Sequence, residues 1–250
     1  MIKINRIFIL SLLFFSTSGF AKEVLLFTTS GKPVSEYEET VHSLKKSDII
    51  IFSNGEQMKI KNVLGEGGMA RVFETSSGEA IRILKSPLYS DDYVESIRVL
   101  SAHGVPTPGI IRKYKAEFTL MEKLNIQFTM ADLLVSGQGL SMTKSRTLFA
   151  ALQVFAGRSA RYLYVGDFRP DQVAFDGTRW ILLDATDNHM MMDIKQDIND
   201  KTLRGHNIFM QFDQNYIDLV FGKGKMQMLE ATIVSRRLLL TKNKCAFVHL

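Results

Sequence analysis

Gly65, Gly67 and Gly68 crowd into the stretch Leu64-Gly65-Glu66-Gly67-Gly68-Met69-Ala70-Arg71-Val72-Phe73. Glycines let backbone N–H groups approach an anion without a Cβ in the way, and they tolerate positive φ. Set between two strands, such a turn could fold over the phosphates of a nucleotide. Taken by itself it is equally a plain glycine-rich hairpin. Shortly afterwards, Ala80-Ile81-Arg82-Ile83-Leu84-Lys85 sets two cations into an apolar run. Side chains alternate along a strand, so Ala80, Arg82 and Leu84 share one face while Ile81, Ile83 and Lys85 share the other. Further on, Asp167, Arg169 and Gln172 cluster within a few residues, and the apolar run from Trp180 ends in Asp184. As an isolated acid at a strand end Asp184 reads as a turn residue, and Glu95 reads as a solvated surface acid. Several other chemistries are closed. The single cysteine, Cys245, excludes an intrachain disulfide and a zinc site built on several thiolates. The five histidines are scattered and form no H-E-x-x-H pair.

These residues need elements to hold them. Val24–Thr29 and Asp48–Phe52 read as short strands, the second ending in the turn Ser53-Asn54-Gly55. Between them, Ser35 and Glu38 form a capping box ahead of a helix with Tyr37, Val41 and Leu44 on one face. Met58–Leu64 and Ala70–Thr75 read as strands joined by the glycine turn, and Glu79–Lys85 follows through Ser76-Ser77-Gly78. Asp91–His103 is helical, with Val94, Ile97 and Leu100 or Ser101 inward, and Gly104-Val105-Pro106-Thr107-Pro108 breaks it. Gly109–Tyr114 and Glu117–Met121 are two more strands. From Ala131 the pattern turns helical, with a long helix over Lys144–Tyr164 carrying Leu148, Leu152, Phe155 and Tyr162. Beyond Ala185 the chain reads as mainly helical. The order predicts an α+β chain: a small five-stranded half with one helix, then a larger helical half.

The glycine turn resembles the L-G-x-G-G-M-x-x-V-[YF] loop of bacterial serine/threonine protein kinases, with Ala70 at a position where the family often has a third glycine. Other segments follow in that family's order. Ala80-Ile81-Arg82 is similar to its V-A-[IV]-K strand, with Arg82 at the position of the phosphate-binding lysine and Glu95 as the partner from the next helix. Leu120-Met121-Glu122-Lys123-Leu124 resembles the hinge, where backbone groups near Glu122 and Leu124 would bond an adenine edge. Val165-Gly166-Asp167-Phe168-Arg169-Pro170-Asp171-Gln172-Val173 resembles the catalytic loop. That resemblance makes Asp167 the residue that orients the acceptor hydroxyl and takes its proton, and Arg169 the neighbour of the transferred phosphoryl. Gln172 stands at the metal-binding asparagine, one methylene longer, and Asp184 at the metal-binding aspartate of D-F-G, with Ala185-Thr186 in place of Phe-Gly. The resemblance implies a two-lobed fold with a five-stranded antiparallel sheet lobe over 57–124 and a shortened, mainly helical lobe over 125–250. It implies a nucleotide site of Gly65, Gly67, Gly68, Val72, Ala80, Arg82, Glu95, Glu122 and Leu124, with ATP and Mg²⁺ (or Mn²⁺) as cofactors. Replacing lysine by arginine is not conservative where a flat guanidinium must grip phosphate.

The 250 residues are 46% hydrophobic and 23% charged, ordinary globular proportions that argue against disorder and coiled coil. The net charge is +5, which is too small a surplus to point to nucleic acid. Met1–Ala21 has the plan of a cleaved secretory leader: Lys3 and Arg6, an apolar core over Ile7–Phe15, then small residues with Gly19 and Ala21 at the −3 and −1 positions before a cleavage point. That apolar core is about half the roughly 20 residues a spanning helix needs. A mature chain starting at Lys22 is expected, exported to the periplasm or beyond, with 22–56 as an N-terminal extension and no stable membrane anchor. With only a short chain after Asp184 and no A-P-E element, the sequence resembles pared-down secreted effector kinases. The expected protein is a monomeric exported kinase phosphorylating Ser, Thr or Tyr of a protein, with a host protein as one such substrate. Two further readings stay open. Gly166-Asp167 and the His103–Pro108 bend resemble small-molecule phosphotransferases of the aminoglycoside or choline kinase kind. The substitutions at Arg82, Arg169 and Gln172 fit a nucleotide-binding pseudokinase.

Overall fold

Three consecutive isoleucines, Ile49–Ile51, form a strand because β-branched side chains suit a pleated surface. In the computed structural model, which describes residues 21–89, 92–136, 140–166, 168–190, 207–213 and 215–246, this strand (β2) lies inside a larger sheet than expected. Seven strands run in the order β1 (Glu23–Leu25), β2, β3 (Gln57–Glu66), β4 (Ala70–Thr75), β5 (Ala80–Leu84), β7 (Phe118–Met121), β6 (Ile110–Tyr114). The expected five antiparallel strands are β3 to β7. The segment 22–56 adds two more: β2 runs antiparallel to β3, with Ile49 opposite Lys59 and Ile51 opposite Gln57, and β1 runs parallel to β2. A turn at Gly55, whose φ is 80°, folds β2 back onto β3, a conformation glycine takes without strain. The sheet is therefore mixed and seven-stranded. The helix α1 (Tyr37–Ser43) begins at Tyr37 after Glu36, with no side-chain cap, so the Ser35–Glu38 box does not form. The expected leader over Met1–Ala21 lies, apart from Ala21, outside the described residues.

The centre of the sheet, β4, β5 and β7, is buried on both faces. Phe73, Ile81, Ile83 and Leu120 pack with Leu26, Val41, Phe52 and Ile60 on the side of α1. Ala80 and Met121 face the other cluster, with Val94, Ile97 and Leu100 of helix α2 (Tyr93–Ala102) and with Trp180. All five residues of β5 are buried, and its alternate side chains enter different clusters.

The second half holds helices α3 (Met130–Ser136), α4 (Met142–Arg158), α5 (Tyr216–Phe221) and α6 (Lys225–Ala246). Strands interrupt them more than expected. The long helix stops at Arg158, where Ser159 ends it, and Tyr162–Gly166 is a strand, β9. Past Ala185 the first element is again a strand, β12 (Thr186–Met190), paired antiparallel with β9. Tyr162, Tyr164 and Val165 are good strand formers, and that local preference overrode the helical spacing of Tyr162. A second sheet holds β8 (Phe128–Thr129), β10 (Val173–Phe175) and β11 (Trp180–Leu182). No helix among the described residues is long and apolar enough to cross a membrane.

Aromatic rings and buried polar bonds fix this half. Phe168 stacks on Phe212 at 4.9 Å and meets Phe209 edge-on at 5.5 Å. Arg237, 1% exposed, donates from Nε to the Ala160 carbonyl (2.7 Å) and from Nη2 to the Tyr162 carbonyl (3.3 Å), tying α6 to the entry of β9. The Tyr216 hydroxyl donates to the Met130 carbonyl at 2.6 Å, joining α5 to α3. Tyr216→Phe is expected to lower unfolding stability by about 1 kcal/mol, the net worth of one such bond. Urea denaturation checks it, and an unchanged midpoint would show that the bond contributes nothing.

Candidate active site

The second face of the sheet carries the basic group singled out above. Val72, Arg82 and Thr119 lie opposite one another across β4, β5 and β7, and Glu74, Ala80 and Met121 form the next row. Arg82 is 7% exposed, and its guanidinium carbon sits 4.4 Å from the centre of the Tyr93 ring. A cation over an aromatic face is attracted by the ring's negative centre. The Tyr93 hydroxyl is shared between Met121 Sδ and the Leu183 carbonyl, each at 3.2 Å. One aromatic side chain thus stands between the sheet cation and the backbone next to Asp184.

Glu95 does not take part. It is exposed, and no ion pair of the described residues joins it to Arg82. The reason is helix phase. Tyr93, Ser96, Ile97 and Leu100 face inward, and with 3.6 residues per turn Glu95 falls on nearly the opposite side. Ser101, weighed as an inward position, is exposed as well. Tyr93 occupies the position expected of the acid. Its spacing to Ile97 and Leu100, i, i+4 and i+7, would have identified it as part of the inward stripe.

Lys85 lies on the other face, at the glycine turn. Its ammonium is 2.7 Å from Glu66, which also meets Arg71 Nε at 3.3 Å and His42 Nδ1 at 3.8 Å. Hydrogen bonding to Lys85 and the nearby Arg71 and His42 charges hold the Glu66 carboxyl below its ordinary value, against the opposing effect of burial. Arg71 Nη1 in turn donates to the carbonyls of Val41, His42 and Leu44 at the end of α1, where a cation complements the helix dipole. Lys85 is therefore a tether of the turn, not a loose surface charge. Lys85→Ala is expected to raise amide exchange at residues 66–70 severalfold without unfolding the sheet. Exchange followed by mass spectrometry tests this, and unchanged protection at the turn would dismiss the tether.

Gly65, Gly67 and Gly68 are exposed at the tip of the β3–β4 hairpin, closed by the Gly67 amide donating to the Ala70 carbonyl at 2.9 Å. None has positive φ, and a Cβ on Gly65 or Gly68 would meet nothing within 4 Å. The turn's own backbone does not demand glycine at those two positions. At the far edge of the same face, the Glu122 amide is used by the Gly109 carbonyl (2.8 Å). No hydrogen bond among the described residues uses the Glu122 carbonyl or the Leu124 amide. Beside them Glu74 is buried, with Lys61 and Lys123 each 2.8 Å from Oε1 and Asn62 2.8 Å from Oε2. Those bonds, Lys123 first, pull its carboxyl down to about 2. No local pattern points to this cluster, because its members come from two strands, β3 and β4, and from the segment after β7.

The hairpin of β10 and β11 joins the remaining residues. Val173 pairs with Leu182, and the Leu183 amide donates to the Gln172 carbonyl at 2.8 Å, so Gln172 lies beside the Leu183–Asp184 step. Next to them Gly166 pairs with Thr186. Asp167 lies outside the described residues. Its neighbour Phe168 is buried in the aromatic cluster and Val165 is fully buried, so both sides of the loop are anchored. Arg169 is exposed and pairs with Asp171 at 3.2 Å. Among the described residues no three His, Cys, Asp or Glu side chains gather into a metal cluster. Gln172 and Asp184 still supply an amide and a carboxylate oxygen, hard donors that suit Mg²⁺, which needs only one or two carboxylates when phosphate supplies further oxygens.

The fold thus sets Arg82 on one face of the large sheet and joins it through Tyr93 to the backbone beside Asp184, with the Gln172 carbonyl bonded to that step. The chain matches no protein-family model and no curated protein, so a functional reading rests on this arrangement of residues.

Proposed function

We propose that the chain is an ATP-dependent phosphotransferase with a protein-kinase-like two-lobed fold, acting on Ser, Thr or Tyr hydroxyls of a protein after export. The observation that carries the reading is Tyr93, bonded to the Leu183 carbonyl while its ring holds Arg82. It links the cationic face of the sheet to the acid that would hold a metal. In this reading the glycine turn covers the phosphates, Val72 and Ala80 line the base, and the Glu122 carbonyl and Leu124 amide meet its edge. Arg82 grips phosphate oxygens as a planar fork. Gln172 and Asp184 would hold Mg²⁺ or Mn²⁺, which would supply charge neutralisation to the phosphates. Asp167 positions the acceptor hydroxyl and takes its proton, and Arg169 faces the transferred group.

The exposure of Glu95 favours a second reading, a protein that binds nucleotide without turning it over, because the glutamate expected to order Arg82 does not face it. One incubation separates the two. Purified protein with γ-labelled ATP, Mg²⁺ or Mn²⁺ and a generic protein substrate is expected to label itself or the substrate. Silence with a nucleotide-dependent rise in melting temperature would select the binding protein. Silence with no such rise would remove both.

A further inference from the structure

The ends of α2 and α4 and one side of α6 enclose a pocket of about 530 Å³ that shares no residue with the candidate active site. Its lining includes His103, Arg158, Arg161 and Arg236, and no acid. Arg71, Arg112, Arg169 and Arg179 each meet a carboxylate. No ion pair among the described residues involves Arg158, Arg161 or Arg236. Arg158, in the last turn of α4, complements that helix's dipole. Arg161 in the following turn and Arg236 within α6 have no such role. Three arginines thus line one concavity whose lining holds no acid.

The frame around them is fixed. His103 Nδ1 lies 2.7 Å from the Tyr162 hydroxyl, which bonds the Val99 carbonyl at 3.3 Å, and the neighbouring buried Arg237 holds α6 against β9. A second observation concerns Gly157, which lines the pocket from within α4. Glycine inside a helix is destabilising. Yet a Cβ there would meet nothing closer than Thr232 Cγ2 at 3.8 Å, so packing does not require glycine.

We propose that this pocket binds the phosphoryl end of a small phosphorylated molecule. Guanidinium groups match phosphate oxygens through paired N–H donors, and the volume lies within the range of small-molecule sites, roughly 300–1,000 Å³. Leu240 on the rim offers an apolar contact to the rest of the ligand.

Calorimetric titration with pyrophosphate and with a sugar phosphate, at fixed ionic strength, tests the site. Each titration is repeated in the Asp184→Ala protein, so that binding at the candidate active site is not counted and the two readings fail separately. Saturable binding is expected in both proteins. The double variant Arg161→Gln, Arg236→Gln should weaken it at least tenfold. Gly157→Met, which adds bulk at a lining position and changes no charge, should weaken it similarly, and Arg179→Gln, at a residue that pairs with Asp176 and does not line the pocket, should leave it unchanged. Circular dichroism confirms that each variant is folded. Absence of binding in the Asp184→Ala protein overturns the proposal. So does a double variant that binds like the parent. Loss in the double variant alone, with Gly157→Met unaffected, would reduce the effect to diffuse charge attraction and overturn the site as well.

Discussion

Asp184→Ala is expected to abolish metal-dependent nucleotide binding, lowering affinity about a hundredfold or more in the presence of Mg²⁺. A bound cation supplies several kcal/mol of charge stabilisation at phosphate oxygens, and Asp184 is the carboxylate that the β10–β11 hairpin sets beside Gln172. The effect should depend on the metal: with EDTA the parent and the variant should bind nucleotide equally weakly. Asp167→Ala is expected to behave differently, sparing affinity while removing turnover, because the proposed function has that residue address the acceptor and not the metal. Fluorescent-nucleotide titration with and without Mg²⁺ measures the first, and single-turnover labelling the second. Equal loss of affinity in the two variants would show that their assigned roles are wrong. Retained metal dependence in Asp184→Ala would place the metal elsewhere.

What the sequence disclosed and what it concealed follow from range. Strands β3 to β7 and the helix after β5 are written in local signals: β-branched runs, a glycine turn, a Gly-Val-Pro-Thr-Pro break. Faces within β5 were legible too, because a period of two leaves little freedom once Ala80 is placed. The membership of β1 and β2 was not, since pairing of 22–56 with β3 is a long-range choice that no local pattern encodes. The inward stripe of α2 was legible as well, and it was the family resemblance, not the stripe, that set Glu95 inward. Val94 and Ile97 gave an inward stripe, but that stripe passes through Tyr93 and leaves Glu95 outside. The tether Lys85–Glu66 and the Glu74 cluster were invisible for the same reason as β2: each joins residues from separate strands. The β9–β12 pair was hidden by Tyr162, whose spacing continues a helix while its type prefers a strand.

Arg82→Ala is expected to weaken nucleotide binding by about ten- to a hundredfold. Arg82 is nearly buried on the face shared with Ala80 and Val72, and a charge-assisted bond to phosphate is worth about 1.5–3 kcal/mol. The Tyr93 ring decides how that charge is held. Tyr93→Leu removes both the ring and the hydroxyl, so it should lower affinity through a wandering guanidinium and a freed Leu183 carbonyl. Tyr93→Phe keeps the ring and loses only the bonds to Met121 and Leu183. If the ring is what matters, Tyr93→Phe should bind nearly as the parent does. If the link to the Asp184 step matters more, the two variants should fall together. Arg82→Lys separates charge from shape: an ammonium keeps the positive charge but has neither the planar stack nor the fork. Higher turnover in Arg82→Lys would mark a working centre held below its best by the guanidinium. Unchanged affinity in Arg82→Ala would mean that Arg82 serves the packing of α2 on the sheet, and the phosphate anchor would have to be sought on another element.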